Sequence, residues 1–188
     1  MSVRSFPAMK RSGAVLLAAL LQLMSSAAQP VRAASLEYEL KAAFLLNFAR
    51  YIEWPNKTGE LNICVIGPDV FGNALNEVAA GKTVNGRKIG VRKNVSAAEA
   101  RTCELLYVSL RESAQVRNAL KAVESSTAVT VGEDREFLRM GGTLAFAPQD
   151  DKIRFYINAG AVEHAGVKIS SRLLVLGRNR HDDGERRR

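Results

Sequence analysis

The chain is poor in the residues that usually announce chemistry: two cysteines, two histidines and one tryptophan in 188 residues, with aromatics at only 6%. It has no CxxC and no HExxH, and its histidines, His164 and His181, lie far from Cys64 and Cys103, so no metal-ligand pattern is present. The phosphate cradles GxGxxG and GxxxxGK[ST] are absent, as is the GxSxG elbow of a hydrolase, and nothing in the sequence calls for a cofactor. The longest apolar run, residues 14–21 with an extension past Gln22 to Met24, falls short of the roughly 20 residues that cross a bilayer. Repeats and low-complexity segments are missing from the body.

That short apolar run is nevertheless informative, because Lys10-Arg11 precede it and Val31-Arg32-Ala33 follow it. This is the layout of a secretory signal peptide over residues 1–33, with cleavage expected after Ala33 or earlier, after Ala27 or Ala28. The 155 residues that remain suit one domain, expected over 34–176, followed by a charged and disordered tail at 177–188. The net charge of +8 sits mainly at the two ends, leaving only +2 on 34–176, so a nucleic-acid partner has no basic face to use. Export to an oxidising compartment makes a Cys64–Cys103 disulfide the default, with packed free thiols as the alternative.

Residues 39–55, ELKAAFLLNFARYIEWP, read as a buried helix around which the domain is built. Ser35 is placed to cap its start, and Trp54-Pro55 to stop it. Asn47 projects among Leu36, Leu40 and Tyr51 on an apolar side, where a buried amide ties the helix to a neighbour or meets a ligand.

Downstream, strands are expected at 61–67, 87–92, 105–110, 128–131, 143–147 and 153–157, and helices at 69–80, 96–101, 113–123, 133–140, 159–165 and 170–176. Asn85-Gly86 predicts a hairpin turn before the second strand, Asp69 and Ser96 predict caps, and 148–152 predicts a closing hairpin. The result is an α/β domain with a mainly parallel five-stranded sheet of order 2-1-3-4-5. Its outline is flavodoxin-like or Rossmann-like, with helices on both faces and a C-terminal antiparallel edge strand. The first and third strands are neighbours in this order, which brings Cys64 and Cys103 together. Ligands of such sheets bind at the strand carboxyl ends, and those ends are poor in catalytic residues. Asp69 and Glu133-Asp134 read as caps, Glu163 and His164 diverge by about 100° on a helix, and Val108-Ser109 stands where a phospho-acceptor aspartate would be needed. The chain reads as a non-enzyme.

The segments KAAFLLNFARYIEWP (41–55), LNICVIGPDVFG (61–72), VNGR (84–87), IRFYINAGA (153–161) and VKISSRLLVL (167–176), together with Gly141-Gly142, resemble the YfiR-like periplasmic family over nearly the whole mature chain. The resemblance implies a periplasmic α/β binding protein. Such a protein docks on the periplasmic sensor region of an inner-membrane diguanylate cyclase and holds it inactive, controlling cyclic di-GMP and biofilm formation. It leaves a homodimer open and implies neither nucleic-acid binding nor direct membrane insertion. Redox-regulated members carry a second cysteine pair near the closing hairpin, and residues 141–157 contain none, so that control does not carry over.

Two surfaces are candidates. An exposed edge strand at 153–157 and the segment after it would present Phe155, Tyr156, Val162, Glu163 and Val167 to a partner; the alternative is that Phe155 and Val162 are ordinary core and Glu163 is solvated. The exposed side of the first helix near Arg50 and Glu53 comes next. A different function class, a binder of a small anionic or aromatic ligand, would use the strand ends near Asn47, Ser109 and Arg111.

Overall fold

The computed structural model describes residues 29–56, 58–149 and 152–179. Residues 1–28 of the expected leader and 180–188 of the expected tail lie outside the described residues. The chain divides after Glu37. The described part of the first unit, residues 29–37, is helical, and the second unit, from Tyr38, holds the α/β domain.

Helix α1, Gln29–Tyr51, begins earlier than Ser35, which lies inside it and is not its cap. Pro30 is tolerated because the first turn needs no intrahelical N–H, and the alanines that follow favour helix. The helix also stops before Trp54, because Ile52–Glu53 turns into a short strand, β1, that pairs antiparallel with β9, Lys168–Ile169.

The main sheet is built from β2 (Leu61–Ile66), β3 (Thr83–Val84), β4 (Arg87–Arg92), β5 (Leu105–Val108), β6 (Val129–Glu133), β7 (Leu144–Gln149), β8 (Lys152–Ile157) and β10 (Arg178–Asn179). Its order is β10-β8-β7-β6-β5-β2-β4-β3. Strands β4, β2, β5, β6 and β7 run parallel in the expected 2-1-3-4-5 order, while β3 is antiparallel to β4 and β8 is antiparallel to β7, so the sheet is mixed. Asn85 and Gly86 have φ of 51° and 80°, the left-handed pair that a two-residue hairpin between β3 and β4 needs.

Between the strands lie α2 (Ala74–Ala79), α3 (Ala97–Ala100), α4 (Ser113–Val123), α5 (Asp134–Arg139), α6 (Ala159–His164) and α7 (Ser171–Leu176). Ser96 closes a full capping box with Glu99 at the start of α3. Asp69 does not cap α2. It accepts from the Phe71 and Gly72 amides and pairs with Lys93 at 3.0 Å, fixing the turn that precedes the helix.

Alternation along the central strands creates two cores. Ile63, Val65, Leu105 and Tyr107 face α1 with Leu45, Phe48 and Ile52, whereas Cys64, Ile66, Leu106 and Val108 face α3, α4 and α5. Around the closing hairpin, Phe48 meets Phe155 at 4.9 Å and stacks on Phe146 at 5.7 Å between ring centroids.

These packings overturn two expectations. A helix lying on one sheet face buries only about half its circumference. The half chosen holds Lys41, Leu45 and Phe48, while Leu40 and Asn47 are exposed. Asn47 is therefore not a buried amide. The closing strand β8 is not an edge either, because Arg178 and Asn179 pair with Tyr156 and Ile157. Residues 178–179 of the segment expected as a tail form β10.

Candidate functional site

The carboxyl ends of β2, β5 and β6 open on a crevice of about 370 Å³. Tyr38 closes it from α1, Ser109 and Arg111 come from the segment after β5, and Glu133 and Asp134 from the end of β6. This is where doubly wound sheets present their loops.

Glu133, in the crevice wall, is half of a charge pair with a buried lysine. Lys41 is 3% exposed, and its Nζ donates to Glu133 Oε1 at 2.6 Å while lying 4.8 Å from the centre of the Tyr38 ring. The Tyr107 hydroxyl donates to the same carboxylate oxygen. Helix α1 carries Lys41 inward because Tyr38, Phe44, Leu45 and Phe48 stand three, four and seven residues from it on the same face, and its ammonium also lies 5.8 Å from the centre of the Phe146 ring. The Glu133 side chain is 40% exposed, so the carboxylate joins the buried ammonium to the open crevice. Asp134, the next residue, has φ of 56° and accepts from the Phe137 amide at 3.1 Å, which starts α5.

Ser109 is tied into the wall. Its Oγ lies 2.6 Å from Pro68 O and 3.0 Å from Ile66 O, so its single proton is spent on the β2 turn and only lone pairs are left for a ligand. That turn needs Gly67, with φ of 97°, because a Cβ there would come within 2.8 Å of both Ser109 Oγ and the Leu110 side chain. Arg111 is exposed at the rim.

Of the three residues expected near a ligand, Ser109 and Arg111 meet at this crevice, and Asn47 stands apart on the outer side of α1. The residues expected to meet a partner divide otherwise. Phe155, Tyr156 and Val167 are buried, Phe155 and Val167 in the core shared with α1 and Tyr156 on the opposite sheet face, with its ring 4.0 Å from the Arg135 guanidinium. Val162 is half-buried and only Glu163 is exposed. The hairpin strand pairs on its second side at Tyr156 and Ile157, and three of the five side chains are buried, so the five do not share one exposed face. Sequence reasoning missed Lys41 and Tyr107 altogether and read Glu133 only as a helix cap. The signal was available in the four apolar neighbours that surround Lys41 at helical spacing, and in Glu133 as an acid ending a central strand.

Cys64 and Cys103 are joined by a disulfide, their Cα atoms 6.0 Å apart, which links the middle of β2 to the residues leading into β5. Among the described residues no group of three or more His, Cys, Asp or Glu is placed to hold a metal, and no helix is long and apolar enough to cross a membrane.

These features define a doubly wound α/β domain with a polar crevice at its strand ends. The chain belongs to the YfiR/HmsC-like family, whose model matches residues 38–178 and so takes in the whole domain. Among solved structures, a conserved domain protein from Vibrio cholerae o1 biovar eltor is similar with a TM-score of 0.48 at 13% identity, over 76% of this chain and 59% of its own. An ABC domain from Streptococcus pneumonia, solved in complex with L-Trp, gives 0.45 at 10% identity with the same coverage. The chain thus spans 59% of the length of each.

Proposed function

We propose that this protein is a periplasmic regulatory binding protein that docks on the periplasmic region of an inner-membrane diguanylate cyclase, holds it inactive, and so restrains cyclic di-GMP output and biofilm formation. The observation that carries the reading is the family match across the entire domain, residues 38–178. The protein acts by binding and catalyses no reaction. The outer side of α1 is the docking face that fits best. Leu40, Asn47 and Arg50 lie exposed along one stripe of the helix, Glu53 follows just beyond it, and Leu40, 47% exposed, supplies an apolar anchor among polar neighbours.

The test is capture from membranes with tagged, exported protein. A membrane protein with a diguanylate cyclase domain is expected among the captured species, and deletion of this protein should raise cellular cyclic di-GMP. Leu40→Arg and Arg50→Glu, both on an exposed stripe, should abolish capture without lowering Tm. Failure to recover any cyclase, with cyclic di-GMP unchanged on deletion, would reject the reading.

A second reading rests on the crevice, where Tyr38, Arg111 and Glu133, the partner of Lys41, converge on a space large enough for a small ligand. Under it the protein is a small-ligand binder, and the α1 variants leave its function intact.

A further inference from the structure

A second cavity, of about 610 Å³, opens at the other end of the strands, between α4 and α6. Its walls are apolar: Leu120 and Val123 from α4, with Ala161 from α6 and Ala165 at its C-cap. The small residues of α6 are what leave the space open. Its rim carries two cations, Arg117 and Lys121, one helical turn apart on α4, against one acid, Glu124, with the His164 imidazole opposite on α6.

The floor holds an unspent donor. Thr130 and Thr143, each 3% exposed, place their hydroxyl oxygens 3.2 Å apart. Each oxygen also accepts a backbone amide from the other residue, at 3.0 and 3.4 Å. Two hydroxyls carry two protons, and their mutual bond uses one. The second proton has no acceptor among the described residues, and both threonines line the cavity.

A buried donor asks for an oxygen acceptor, the walls ask for apolar surface, and the rim asks for negative charge. From this we infer that the groove between α4 and α6 binds a small apolar carboxylate that carries a carbonyl oxygen within its buried body. The carbonyl takes the free threonine hydroxyl, the body lies on Leu120, Val123, Ala161 and Ala165, and the carboxylate meets Arg117 and Lys121. A volume of this size is ordinary for such ligands. The assignment stands apart from the docking reading and is measured on purified protein alone.

The probe is 4-benzoylbenzoate, an aryl ketone carboxylate that inserts into nearby C–H bonds on illumination. Calorimetry should show saturable 1:1 binding, and the photoproduct should map to the α4 and α6 peptides. The exposed double change Arg117→Ala/Lys121→Ala should weaken binding at least about tenfold, and the neutral 4-benzoylbenzamide should bind both proteins at that weaker level. Ala161→Phe should fill the groove and abolish binding, its fold checked by circular dichroism. Absence of saturable binding, a photoproduct at residues 38 or 107–111, or full affinity in a folded Ala161→Phe protein would each overturn the assignment.

Discussion

Lys41 illustrates what a single residue contributes to this domain. A lysine of 3% exposure is stable as a cation only with compensation, and here it has a carboxylate at 2.6 Å and an aromatic face. The two partners of the pair are not equivalent, because Glu133 is 40% exposed and can turn to water whereas Lys41 cannot. Glu133→Gln, which takes away the charge opposite a buried ammonium, should cost about 1–3 kcal/mol. Lys41→Met replaces a buried cation by an apolar chain of similar length and should cost less than about 1 kcal/mol. Urea unfolding of both variants checks the asymmetry, and equal costs would mean that the ammonium is compensated elsewhere. The same residue marks a limit of helical projection. Angles along 39–55 group apolar positions correctly but do not say which half of an almost wholly apolar helix meets the sheet, so Asn47 was read as inside and Lys41 was not singled out.

At the scale of elements, most of the architecture was legible. The strands, their 2-1-3-4-5 order, the Asn85-Gly86 hairpin and the Ser96 cap all follow from alternation, turn residues and right-handed crossovers, which are local or nearly so. What was not legible depends on contacts distant in sequence. β10 is only two residues long and arises in a segment rich in arginine, so nothing in its composition marks a strand; it exists because β8 has open backbone groups at Tyr156 and Ile157. The β1–β9 pair is equally short and forms because the chain leaving α1 meets residues 168–169. A chain ending at Gly177 would expose the β8 edge, and unpaired edges recruit other chains. Light scattering after size exclusion should find that this truncation forms concentration-dependent oligomers under conditions where the full chain is less associated. Identical masses for the two would show that two residues of pairing are not what protects the edge.

For the molecule as a whole, the Cys64–Cys103 bridge joins the two cores' shared sheet to the segment that delivers β5, and therefore Tyr107, Ser109 and Arg111, to the crevice. The cysteines are 39 residues apart, and closing a loop of that length lowers the entropy of the unfolded chain enough to stabilise the fold by about 4 kcal/mol. Both sulfurs are in side chains buried to within 3% of full, packed with Leu106, Val95 and Ala100. A thiolate must reach a sulfur to exchange with it, so reduction has to wait for the domain to open. Three results follow. Thiol titration of denatured, unreduced protein should find almost no free thiol. Dithiothreitol should leave the native protein oxidised for far longer than it leaves the protein in urea. The Cys64→Ala/Cys103→Ala variant should unfold at a markedly lower urea midpoint with an increased m-value, because its unfolded chain is no longer cross-linked and exposes more surface. Two reactive thiols per denatured chain would show the cysteines to be free, and an unchanged midpoint would show that the loop closure contributes nothing to stability.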